Sequence, residues 1–141
     1  MVLAMKTKQR DAIYLANHLV THSEDDPLGP EVRQWVVDAM RRYLAGEELA
    51  AAFGLDRASR LRQRNQALRD AATLLAADGA APWQVAVRLE KAIARFQARV
   101  LPMYHRNPTT ELAPVDEALR LAHLTGCRLP TTARQLHGVI N

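Results

Sequence analysis

The segment from Pro82 to Leu101 constrains the fold of this chain more than any other. Its apolar residues recur at alternating steps of three and four, the spacing that keeps them on one side of an α-helix: Ala86, Leu89, Ile93, Phe96 and Val100. Four cations fall together on another side and form the cationic stripe: Arg88, Lys91, Arg95 and Arg99. The pattern predicts one long helix with an apolar seam facing a core and a positive surface facing outward.

The other segments also have helical periodicity, and no segment alternates with period two for long enough to be a strand. We expect helices over about residues 4–21, 30–44, 47–55, 57 or 60 to 77, 82–101, 114–125 and 131–138. The sequence therefore predicts a single all-α domain, residues 1–141. Its expected architecture is a compact bundle of six to seven helices around a long antiparallel hairpin, about 60–77 and 82–101, with a helix-turn-helix-like pair at the C-terminus.

Prolines and glycines set the expected helix boundaries. Pro30 suits the first position of a helix, where its missing N–H is not needed, and Gly54 suits a left-handed C-terminal cap. Gly126 is expected to cap a later helix in the same way. Pro102 is expected to end the central helix at Leu101, which leaves Met103 to Leu112 as a surface loop.

Helical spacing also predicts which large side chains are buried. Met40, Tyr43 and Leu61 are expected in the core. Trp35 is also expected there, with an exposed binding anchor as the alternative.

Composition and length favour an ordinary soluble domain. The chain has 141 residues, of which 48% are hydrophobic and 24% charged, and no apolar run approaches the roughly 20 residues that cross a bilayer. We therefore expect no membrane partner. The first ten residues lack the layout of a signal peptide, which predicts a cytoplasmic protein. The single cysteine, Cys127, excludes an intramolecular disulfide.

The positive charge is concentrated in the later part of the chain. Residues 1–56 carry six Lys/Arg and nine Asp/Glu, whereas residues 57–141 carry thirteen and six. Five arginines occur between residues 57 and 69 without an intervening acid: Arg57, Arg60, Arg62, Arg64 and Arg69. Together with the cationic stripe they predict a positive surface that binds phosphates largely without regard to sequence. A solvated face, or an arginine-rich composition inherited from a GC-rich genome, explains the same residues without binding.

The C-terminal segment resembles a helix-turn-helix. Ala122 lies four residues before Gly126, as in the motif, and Ala133 and Leu136 fit the second helix if the turn is one residue longer than usual. A shorter likeness, Ala50 to Gly54, fails in its second half because Arg60 falls at a buried position. The C-terminal resemblance implies base or phosphate contacts from Thr131, Thr132, Arg134 and Gln135. Arg128 is a further candidate for nucleic-acid binding.

No arrangement of residues predicts catalysis, a cofactor or a metal site. The chain has no glycine-rich phosphate loop and no nucleophile elbow. His18 and His22 stand four apart on one helix, with acidic residues 24–26 nearby, but a histidine in a last helical turn is ordinarily a partner of the helix dipole. We expect a protein that is not an enzyme and that uses neither a cofactor nor a metal.

The sequence therefore predicts a small helical DNA-binding protein, a regulator or accessory factor of transcription. It favours DNA over RNA as the nucleic acid. An adaptor or inhibitor whose basic face binds an acidic protein is the alternative. A homodimer through spare apolar residues is a further alternative, with Val85, Val87 and Met103 as the candidates.

Overall fold

The computed structural model describes residues 12–21 and 27–141, and these ranges are helical with no strand. The predicted all-α class is confirmed, whereas residues 4–11 of the first expected helix lie outside the described part. The elements are α1 Ala12–Thr21, α2 Pro30–Leu44, α3 Leu49–Ala52, α4 Arg57–Leu75, α5 Pro82–Arg95, a π-helical segment Phe96–Val100, α6 Leu101–Arg106, α7 Pro114–Leu124 and α8 Ala133–Ile140.

The chain divides into two compact units, Met1–Leu61 and Arg62–Asn141. Each unit has its own buried residues. The single domain expected from chain length stays a prediction.

In the first unit, α2 packs against α1 and α3. Val32 and Ala39 are buried on α2, and the ring N–H of Trp35 donates to the carbonyl oxygen of Phe53 at 3.1 Å. The Trp35 and Phe53 rings meet edge to face. Trp35 is therefore a half-buried packing residue with a satisfied N–H, as Trp side chains usually are inside proteins.

Three of the expected core residues are exposed instead. Met40 is 39% exposed, Tyr43 is 44% exposed and Leu61 is 42% exposed, so the prediction that they are buried was wrong. Helical periodicity identifies the apolar side of a helix, but the width of the buried part depends on the neighbouring helices.

The C-terminal end of α3 has the left-handed glycine cap that the sequence predicts. Gly54 has φ of 71°, and the N–H of Leu55 donates to the carbonyl oxygen of Ala50 at 2.8 Å. A left-handed residue followed by this bond is the Schellman arrangement, which satisfies carbonyls left open at the helix end.

The second unit is organised on the apolar seam of α5. Leu89, Ile93 and Phe96 are at most 1% exposed, as expected from the sequence. Residues from α4, α7 and α8 complete the cluster: Ala67, Leu68, Ala71, Ala72, Ala118, Leu119, Ala122, Ala133 and Leu136. Val85 is also buried, and Val87 and Met103 pack against this cluster, so the three residues proposed for a homodimer are not spare.

The helix that packs most extensively against α5 is α8 and not α4. The two helices are antiparallel, because Glu90 contacts Ala133 at the start of α8 while Trp83 contacts His137 one turn further along. The expected α4–α5 hairpin with a heptad-spaced seam is not confirmed and stays a prediction.

The central helix does not end at Leu101. Its backbone widens into the π-helical segment and continues as α6 to Arg106, with Pro102 in the first turn of α6. The N–H of Leu101 donates to the carbonyl oxygen of Phe96, five residues back. A wider turn relieves the clash between a proline ring and the carbonyl four residues earlier, which is why the helix passes Pro102. The surface loop expected from Met103 therefore begins at Asn107.

The connection between α7 and α8 is longer than a helix-turn-helix allows. Gly126 has φ of 74° and caps α7, and the buried Thr125 hydroxyl donates to the carbonyl oxygen of Ala122 at 2.6 Å. However, eight residues, 125–132, separate the two helices, whereas the motif uses a turn of three or four. The helix-turn-helix resemblance is not confirmed, because α8 packs on α5 instead of folding directly back on α7.

Gly126, in a left-handed helix cap, and Gly138, inside α8, provide a matched pair of substitutions. Gly126→Ala should destabilise the chain by about 1–2 kcal/mol, because an L residue is strained at positive φ. Gly138→Ala should stabilise it by about 0.5–1 kcal/mol, because Gly138 lies inside α8 with open space around its Cα. Urea denaturation measures both free energies of unfolding. Equal effects of the two substitutions would contradict the left-handed cap.

Candidate nucleic-acid interface

The fourteen predicted site residues are distributed over both units. Arg57 and Arg60 belong to the first unit and the other twelve to the second. Arg60, Arg64 and Arg88 are half-buried, and the rest are exposed. Arg57 and Arg60 lie three residues apart at the start of α4, and the row Lys91, Arg95 and Arg99 lies on the central helix of the second unit.

Two arginines of α4, Arg64 and Arg69, donate hydrogen bonds to the C-terminal segment. Arg64 Nη1 donates to the carbonyl oxygen of Arg128 at 2.7 Å, and its Nε and Nη2 donate to Asn65 Oδ1. Arg69 Nε donates to the carbonyl oxygen of Val139 at 3.2 Å. Arg60 and Arg62 have interactions of their own. Arg64 and Arg69 connect α4 to the C-terminal segment, so these two guanidinium groups have a structural role that the sequence did not indicate.

Arg88 is held by a carboxylate. Its Nη1 and Nη2 donate to the two oxygens of Asp78 at 2.9 and 3.1 Å, and Nη1 also donates to the carbonyl oxygen of Leu75. The hydrogen bonds from Arg88 lower the pKa of the Asp78 carboxyl, and those to Asp78 raise the pKa of Arg88. Arg88 therefore stabilises the turn between α4 and α5 and is the least available member of the cationic stripe.

Arg95 is held by Asp116 more loosely than Arg88 is held by Asp78. Its Nη1 lies 3.3 and 3.4 Å from the two oxygens of Asp116 in the first turn of α7, at the long limit for a charged hydrogen bond. The Arg95 side chain is 62% exposed, whereas that of Asp116 is 11% exposed. Arg95 is thus a surface cation beside a nearly buried carboxylate, and a competing anion can reach it from solvent.

Lys91 and Arg99 are exposed and form no hydrogen bond or ion pair with the residues that the structure describes. They lie on either side of Arg95 at steps of four, and residues four apart are neighbours on a helix surface. The continuous helix from Pro82 to Arg106 contains one acidic residue, Glu90. Glu90 Oε2 accepts the N–H of Ala133 at 2.9 Å, so this carboxylate is turned toward α8. Lys91, Arg95 and Arg99 form a positive row without an acid on it.

The C-terminal candidates are mostly used to begin α8. Thr132 Oγ1 accepts the N–H of Gln135, and Gln135 Oε1 accepts the N–H of Thr131. This reciprocal capping has a sequence signal, Thr-x-x-Gln, which indicates a helix start. Glu90 completes the cap, a role that sequence spacing could not reveal. Within the described ranges, the side chains of Arg128 and Arg134 have no hydrogen-bond or ion-pair partner.

The described residues show no other candidate site. They contain no group of three or more His, Cys, Asp or Glu side chains placed to hold a metal, and His22 and residues 24–26 lie outside them. None of their helices is both long enough and apolar enough to cross a lipid bilayer.

Comparison with protein-family models, curated proteins and solved structures finds no match.

The Arg88–Asp78 pair should make the free energy of unfolding depend on pH in the acid range. Because the pKa of Asp78 is lowered in the folded state, its contribution is present at neutral pH and is lost as the pH falls through that lowered value. Asp78→Asn should therefore reduce the free energy of unfolding at pH 7 and have no effect once the wild-type carboxyl is protonated. Denaturant titrations across this acid range test the pair. A difference that is independent of pH would contradict it.

Proposed function

We propose that this protein binds DNA, and that Lys91, Arg95 and Arg99 contact its phosphates. The observation that carries the proposal is the row of three exposed cations on one helix face, with the only acid of that helix directed toward α8. Successive members are about 6 Å apart along the axis, so they can follow a polyanion. Binding through such a row releases counterions and weakens as salt rises.

In this proposal the protein acts as a regulator or accessory factor and not as an enzyme. Arg134 is the residue best suited to reading a base edge, because Thr132 and Gln135 already cap α8. The start of α8 does not serve as a phosphate site, since Glu90 accepts its first N–H. Arg57, Arg60, Arg62, Arg64 and Arg69 contribute long-range attraction and not direct contacts.

The alternative partner is an acidic protein, because exposed cations without carboxylate partners suit either anion. Fluorescence anisotropy with random-sequence duplex DNA at two salt concentrations separates the two. We expect micromolar binding at low salt. Its absence would contradict binding to duplex DNA, and absence of binding to single-stranded DNA as well would favour the acidic protein.

Removing two cations from the row should make DNA binding less dependent on salt concentration. Lys91→Ala/Arg99→Ala should make the slope of log K against log salt less steep by about 1.8, since each lost phosphate contact removes about 0.9. The matched control is Arg33→Ala/Arg41→Ala, which removes two exposed charges from α2. An unchanged slope in the first variant, or equal changes in both, would contradict the proposed surface.

Asp116 should restrain Arg95 and thereby weaken DNA binding. Asp116→Asn releases Arg95 to the phosphates, so binding should tighten and the salt slope should steepen by up to about 0.9. Glu111→Gln removes the same charge at an exposed position without a hydrogen-bond or ion-pair partner among the described residues. Anisotropy titrations compare the two variants. Equal effects would show that only net charge matters and that Arg95 makes no contact.

A further inference from the structure

Trp83 is the most exposed aromatic side chain of the second unit that the structure describes. It lies in the first turn of α5 and is 52% exposed. The chain's other tryptophan, Trp35, is half-buried and donates its ring N–H to a carbonyl. About half of the Trp83 side chain faces water and is accessible to a ligand.

The orientation of the Trp83 ring is supported from one side. Its centroid lies 5.7 Å from that of the His137 ring on α8, with 59° between the two planes. The two rings are therefore tilted relative to each other and not stacked in parallel. Because a neighbouring helix supports the ring, a ligand that stacks on it loses less side-chain entropy than it would on a freely rotating side chain.

Trp83 lies on the same helix as the row of cations, two turns before Lys91. Steps of four along the helix join Trp83, Val87, Lys91, Arg95 and Arg99, and we call these five residues the ridge, which winds round the helix by about 40° at each step. Trp83 and Lys91 are about 12 Å apart along the axis, as are Lys91 and Arg99. The ridge therefore has an aromatic surface on the α8 side at one end, where Glu90 also contacts α8, and three cations on the outward side at the other end, with the half-buried Val87 between them.

We propose that the ridge binds single-stranded DNA. A base stacks on Trp83 while the phosphates of neighbouring nucleotides contact Lys91, Arg95 and Arg99. This rests on the proposed function and specifies its ligand. Aromatic stacking combined with a positive track is the arrangement that recognises single strands, whose bases have accessible faces. In a duplex the base faces are covered by the adjacent base pairs, so Trp83 contributes nothing there.

The test compares Trp83→Ala with the wild-type chain by anisotropy on a labelled oligothymidylate of about 12 nucleotides, a length within the usual range of site sizes. The variant should bind the single strand roughly 5- to 150-fold more weakly, the loss typical of removing one stacking aromatic. Its salt slope should stay the same, because stacking releases no counterions. Its affinity for duplex DNA should not change.

Three controls isolate stacking from folding and from general hydrophobicity. Trp83→Phe keeps an aromatic face and should retain most of the single-strand affinity. Leu74→Ala removes the other large exposed apolar side chain of the second unit and should leave the affinity unchanged. An abasic oligonucleotide of the same length keeps the phosphates without the bases, so the wild-type chain and Trp83→Ala should bind it equally.

The outcomes separate this inference from the proposed function. Base stacking is wrong if Trp83→Ala binds the single strand as tightly as the wild-type chain does. The proposed phosphate contacts are still supported in that case if Lys91→Ala/Arg99→Ala lowers the salt slope. If the wild-type chain binds neither a single strand nor a duplex at low salt, both proposals fail. Equal losses by Trp83→Ala on the oligothymidylate and the abasic strand would also overturn stacking.

Discussion

Burial of the α5 seam is the interaction on which the second unit depends. Leu89, Ile93 and Phe96 are almost completely removed from water, and each such side chain contributes about 1.5–3 kcal/mol relative to its exposed state. Helices α4, α7 and α8 all place apolar residues against this seam. Because the seam fixes the rotation of α5 about its axis, it also fixes which residues face solvent. The outward direction of Lys91, Arg95 and Arg99 is therefore a consequence of core packing.

The chain uses its arginines in two physically different ways. Arg64 and Arg69 donate to backbone carbonyls and Arg88 donates to a carboxylate, so their planar groups join segments that are distant in sequence. Lys91 and Arg99 make no such contacts with described residues and remain hydrated. Net charge does not distinguish the two uses, since a guanidinium bonded to a carbonyl is still positive. The distinction depends on which donors are already satisfied.

Local rules predicted the local features of this fold. Pro30 and Pro114 begin helices, Gly54 and Gly126 cap them, and the period of α5 identifies its seam. The sequence did not indicate that the helix would pass Pro102 by widening into a π-helical segment. Nor could it indicate that Glu90 caps α8 across 43 residues, or that Arg64 reaches the carbonyl of Arg128. Such contacts join residues through the tertiary fold, and periodicity contains no information about them.

The size of the cationic row limits how tightly it can bind. Three phosphate contacts correspond to a salt slope of about 2 on a single strand, well below that of proteins with six to ten contacts. Electrostatics alone then supports weak attachment that is lost at physiological salt. An aromatic surface adds affinity that salt does not remove, because stacking displaces water and not counterions. In the proposed complex, Trp83 therefore supplies affinity that three cations alone lack at physiological salt.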